Sequence, residues 1–148
     1  MRLSRMGAAQ WVLLAAALLL AASAAAERKQ AIGSFEAHYT LVPTLFLKPA
    51  VAADYGITRS RDRALLNVSV LDAEGRPVRV QISGSVRNLL EQQQTLDLRE
   101  VTEGEAVYYM TEVRHTDREV LRFRFDVVTP DGGRHEFDFQ QQMYWEGR

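Results

Sequence analysis

The chain of 148 residues contains no cysteine. That absence excludes disulfides, thiolate metal centres, cysteine nucleophiles and the lipid-modified cysteine of a bacterial lipoprotein anchor. Histidine is scarce: only His38, His115 and His135 occur, and no two have the i, i+2 or i, i+4 spacing that sets two imidazoles on one face. There is no Gly-x-Ser-x-Gly elbow, no glycine-rich phosphate loop and no His-Glu-x-x-His motif. Neither sign of charge dominates, with 18 Lys and Arg against 19 Asp and Glu for a net −1. A nucleic-acid binder working through a basic face and a highly charged disordered tail are therefore both disfavoured. These gaps point to a protein that is not an enzyme, with no cofactor, metal or catalytic residue.

Hydrophobic residues are unevenly spread. The first 26 residues hold 20 of them. Arg2 and Arg5 form a short positive start, Trp11 to Leu20 is an unbroken apolar run, and Ala24-Ala25-Ala26 offers the small-x-small pattern of a signal peptidase site. This is the signature of a secretory signal peptide cleaved after Ala26, and it places the protein in the periplasm or outside the cell. The alternative is a retained membrane anchor, because Met6 to Ala26 is nearly long enough to span a bilayer. After the leader the sequence predicts a flexible segment over residues 27–34 and a single domain over 35–146.

From Phe35 onward the apolar period is two. It runs through Phe35 to Leu41, Leu66 to Val70, Val78 to Ile82, Leu96 to Leu98, Ala106 to Val113, Leu121 to Val127 and Phe137 to Gln140. Each reads as a half-buried strand, and turn-forming residues fall between them. Seven short antiparallel strands predict an all-β sandwich of immunoglobulin or fibronectin type. One segment departs from this period: Pro49 to Gly56 has Pro at its start and Gly after its end, predicting a short helix near residues 49–55. Asn88 to Gln94 offers a further turn of helix. In the last hairpin, placing Arg124 opposite Glu136 would align three opposite-charge pairs and set Phe123 against Phe137.

The candidate binding residues are few. His38 alternates with the apolar set of the first strand and lies beside Tyr39; a solvent-facing strand histidine is its plain alternative. Arg59, Arg61 and Arg63 recur every second residue, which in extended chain gives a guanidinium stripe suited to carboxylate or phosphate. Strand alternation buries one of Tyr108 and Tyr109. Tyr109, with Trp145, is taken as part of an exposed aromatic patch of the kind that anchors a partner. His115 and His135 lie at turns and read as solvated.

A longer set of residues carries a resemblance. It comprises His38-Tyr39, the run Phe46-Leu47-Lys48-Pro49 through Tyr55-Gly56-Ile57-Thr58-Arg59-Ser60, Asn67 to Val70, Ser83-Gly84, Asn88-Leu89, Gly104 to Tyr109 and the closing aromatic strand. Over about Phe35 to Trp145 the chain resembles a family of small proteobacterial secreted proteins, the domain of unknown function numbered 4426. Thr40 stands where that family has Asn, and Val42-Pro43 interrupts its polar segment. The resemblance implies a signal peptide and an all-β domain, and assigns no activity. The resulting expectation is a periplasmic binding or accessory module whose partner is an envelope protein or polymer, with no nucleic acid and no membrane contact after cleavage. The alternatives are a small-ligand binder or hydrolase centred on His38, Tyr39 and the 49–56 helix, and a membrane-anchored structural protein.

Overall fold

The computed structural model describes residues 27–145; the leader expected over residues 1–26 lies outside them. Nine strands form two antiparallel sheets. The first sheet has the order β1 (Arg28–Ile32), β2 (Phe35–Pro43), β3 (Arg63–Leu71), β7 (Ala106–Arg114), β6 (Arg99–Glu103). In the second the order is β5 (Gln93–Leu96), β4 (Gln81–Asn88), β8 (Val120–Val128), β9 (Arg134–Gln142). One short helix, α1 (Pro49–Asp54), has Pro in its first turn, where the missing N–H costs nothing. The sandwich class and the helix agree with the sequence reading; among the described residues the strand count is nine, not seven.

Two differences account for the extra strands. Residues 28–32 form β1, where a flexible segment was expected, because Arg28 and Gln30 find partners across the sandwich. Gln30 Nε2 donates to the Tyr39 hydroxyl at 2.8 Å and the Asp138 carbonyl at 2.6 Å. Arg28 donates to the Gln140 carbonyl at 3.3 Å and the Gln141 side chain, with its guanidinium 4.9 Å from the Phe139 ring centroid. Leu96 and Leu98 both point at the core, as their alternation predicts, but the chain passes between sheets there, so they end β5 and precede β6. Asn88 to Gln92 forms the β4–β5 hairpin turn, not a helix.

The core between the sheets is aromatic. Tyr39, Phe123, Phe125, Phe137 and Phe139 stack with neighbouring centroids as close as 4.4 Å, and they meet the aliphatic inner face of β2, β3 and β7. A second cluster lies on the opposite face of the five-stranded sheet, where Leu47, Ala52 and Ile57 from the β2–β3 connection cover Leu65 and Met110. Double coverage explains why Ala64, Leu65 and Leu66 are all buried in succession.

The β8–β9 register differs from the expected one. Arg124 lies opposite Asp138, Asp126 opposite Glu136, and Phe125 opposite Phe137. The turn decides this. Thr129 N donates to the Gly133 carbonyl at 3.0 Å and Gly132 takes a φ of 83°, giving a three-residue loop that leaves no freedom to slide. Arg124 still reaches Glu136 diagonally at 2.7 Å, so charge adapts to a register that the turn and the phenylalanines set.

Turn carboxylates make the fold acid-sensitive. Asp72 sits below its ordinary pKa of 3.8, chiefly through the Arg76 backbone N–H, and Asp131 is lowered chiefly by the Thr129 hydroxyl and then the Gly133 N–H. A depressed folded pKa stabilises above the unfolded value, and that contribution is lost as pH falls through the folded value. Urea midpoints should therefore fall as pH drops below about 3.8, and fall less for Asp131→Asn over the same interval. An unchanged pH dependence in that variant would remove Asp131 from the account.

Candidate functional site

The candidate residues do not converge on one place. His38 lies on the outer face of the five-stranded sheet, with Nδ1 2.8 Å from Glu27 and Nε2 2.6 Å from Glu36. The hydrogen bond from His38, with the Lys29 charge behind it, lowers the Glu36 pKa. The two carboxylates face opposite edges of the ring, so the three groups do not close on a common point. Among the described residues no group of three His, Cys, Asp or Glu is placed to hold a metal ion. Tyr39 points the other way, into the core.

The arginine stripe is absent because a turn at residues 61–62, closed by Arg63 N donating to the Ser60 carbonyl at 3.2 Å, interrupts the extended chain. Arg59 donates to the Leu45 carbonyl at 3.1 Å, Arg61 lies 4.4 Å above the Trp145 ring, and Arg63 enters β3 to pair with Glu112 at 3.6 Å. Tyr109 is buried, contrary to expectation. Its hydroxyl accepts from Val80 N at 2.8 Å and faces the Val80 carbonyl and Glu100 at 3.0 and 3.1 Å, stitching the chain before β4 to β7. Burial raises its pKa. Tyr108 is the outward one. Burial, reinforced by Glu103, also raises its pKa, and burial raises that of Glu103. His115 is 5% exposed instead of solvated, with Nδ1 3.0 Å from the Thr116 carbonyl and no partner for Nε2 among the described residues.

A different grouping emerges from the topology. The chain ends β2 at Pro43, enters β3 at Arg63, leaves β7 at Arg114, turns into β8 at Val120, leaves β4 at Asn88 and ends β9 at Gln142; the registers place all of these at one end of the sandwich. The large hydrophobic side chains exposed among the described residues are Phe46, Leu89, Leu90 and Tyr144, and each lies on a segment at that end. Trp145, half-buried, lies beside them, its backbone N–H donating to Asp117 at 3.0 Å. At the opposite end the connections are short and polar: Gly33-Ser34, residues 72–76, Gly104-Glu105 and residues 129–133.

Arginines crowd the same apolar end. Arg63 stands directly opposite Arg114 in one sheet, and Arg87 directly opposite Arg122 in the other. Like charges in that arrangement oppose strand pairing. Arg87 and Arg122 also wall a cleft of about 360 Å3 whose lining includes Ser85. The sequence held the signal for this end in Leu89-Leu90 flanked by turn residues, a pair with no place in a period-two pattern.

Related structures share the architecture. A protein from Pseudomonas aeruginosa of the DUF4426 family matches with 28% identity and a TM-score of 0.72, covering 82% of this chain and 97% of that one. FetP of uropathogenic Escherichia coli, isolated after expression in the periplasm, matches at 11% identity and TM-score 0.55 over 80% of this chain and 93% of its own. A copper-bound variant of FetP gives 12% identity and TM-score 0.56, covering 84% and 97%. The FetP likeness is one of fold alone. No curated protein matches the chain. The family model spans residues 29–146, nearly the whole of both sheets, and the chain thus belongs to DUF4426, a domain of unknown function.

Proposed function

We propose that the protein is a non-enzymatic binding module of the bacterial envelope, working in the periplasm through the apolar end of its sandwich. The observation that carries this reading is the gathering of Phe46, Leu89, Leu90 and Tyr144 at one end while the other is polar. Scattered exposed apolar residues need no explanation, but several on separate loops at one end mark an interaction surface. The leader-like residues 1–26 support export, and FetP, which shares the fold, was produced in the periplasm. His38, held between two carboxylates on the sheet face, acts here as a structural clasp between β1 and β2, not as a base.

Photo-crosslinking from within the envelope tests this. A crosslinking residue at position 90 should form adducts with an envelope component, protein or lipid, whereas one at position 105, on the opposite end, should form few. Equal yields from both positions, or none from position 90, would overturn the proposal.

A further inference from the structure

The Leu89-Leu90 turn is a rigid display. Asn88 Oδ1 accepts from Leu90 N and Gln92 N, both at 3.0 Å, and Asn88 N donates to the Gln92 carbonyl at 3.1 Å. Asn88 Nδ2 ties the turn to Glu119 on the neighbouring β7–β8 connection at 3.1 Å. Glu91 holds a φ of 63° to complete the turn. With the backbone this constrained, the two leucines stay outside, Leu90 at 80% exposure. A fixed apolar tip loses little conformational freedom when something covers it.

The charges around the tip are unbalanced in their availability. Asp62 is held by Ser60, Glu91 by Arg87, and Glu119 by Thr116 and Asn88. Arg59, Arg61, Arg114, Arg118 and Arg122 have no ion-pair partner among the described residues. The acids at this end thus serve the loops, while these exposed arginines meet only neutral groups where they meet any, Arg59 the Leu45 carbonyl, Arg61 the Trp145 ring and Arg122 the Gln140 side chain, and keep their charge uncompensated. Tyr144 and Trp145, rings with a polar handle, lie among them, a composition that suits a headgroup layer.

We infer that this end of the sandwich docks on an anionic lipid bilayer, with Leu89 and Leu90 as the inserting tip and the arginines on the headgroups. The inference deepens the binding-module reading and rests on it, and it departs from the expectation of no membrane contact. A protein partner needs a complementary, continuous patch, whereas the apolar groups here project from separate loops. A bilayer accepts such protrusions without shape complementarity and adds attraction for arginine.

Residues 27–145 supply both sheets and the whole buried core described here, so the chain without its leader is the species to test. It should float with vesicles of phosphatidylglycerol and phosphatidylcholine mixed one to one and not with phosphatidylcholine alone. The Leu89→Ser/Leu90→Ser variant should bind about tenfold more weakly or worse, with an unchanged melting temperature because both side chains are exposed. Arg118→Gln/Arg122→Gln should lose most of the dependence on anionic lipid and on salt. No flotation of the unmodified protein, or flotation indifferent to the leucine change, would overturn the inference. If vesicles are ignored while position 90 crosslinks to a protein, the membrane inference fails and the binding module stands; if position 90 crosslinks to nothing, both fail.

Discussion

Phe125→Ala should lower the unfolding free energy by about 3–5 kcal/mol, read from urea denaturation with the slope unchanged. Phe125 is fully buried, with its ring centroid 4.6 Å from Phe137, 6.1 Å from Phe139 and 6.4 Å from Phe123. Its removal leaves a void bounded by other rings, and rings cannot fold inward to fill it as a flexible Met or Leu would. Phe46→Ala, on the surface, should change stability little by comparison. A loss below about 1 kcal/mol for Phe125→Ala would mean that the phenylalanine stack is not the centre of the fold.

Gly84→Ala should be destabilising by about 1–3 kcal/mol, although glycine to alanine inside a strand ordinarily stabilises. The reversed sign comes from space. A Cβ at Gly84 would meet Phe125 Cδ1 at 2.7 Å and Cε1 at 2.9 Å, with Leu96 Cδ1 at 3.1 Å. Gly84 is the site directly opposite Phe125 in the β4–β8 ladder, so β4 gives up a side chain to let the ring lie flat on its backbone. The two substitutions should couple. In a Phe125→Leu background the Gly84→Ala penalty should shrink or change sign, a non-additivity that a double-mutant cycle measures directly. Additive effects would show that the ring moves aside without loss.

The physics of each segment decided what could be read before the structure. Period-two alternation located β2, β3, β7, β8 and β9 because their inward faces bury apolar groups and water covers most of the other side. β1 escaped notice because two of its three inward positions are Arg28 and Gln30, polar residues whose carbonyl partners lie on β9, over a hundred residues away in sequence, and only Ile32 is apolar. Tyr109 was assignable in principle: Glu112 and Arg114 share the phase of Tyr108 and mark that phase as outward, leaving Tyr109 with Val107 and Val113 toward the core. The β8–β9 charges misled about register because exposed pairs contribute little and long side chains reach diagonally, whereas Phe125 against Phe137 and the tight Thr129–Gly133 turn do not stretch. The apolar end depended on topology. Phe46, Leu89 and Tyr144 are far apart in sequence, and only the registers bring their loops together.

The clasp between β1 and β9 has a consequence for the order of assembly. Residues 28 and 30 hydrogen-bond to carbonyls of residues 140 and 138, so the first strand synthesised is completed by the last. The β3–β7 and β4–β8 ladders also join strands distant in sequence, but the contacts from residue 28 to residues 140 and 141 close the longest loop and carry the largest loop-closure entropy among the described residues. A chain made amino terminus first thus holds its leading strand half-satisfied until the final residues are added. The domain behaves as a ring closed in one terminal step, and its native state cannot be reached before its last strand is complete.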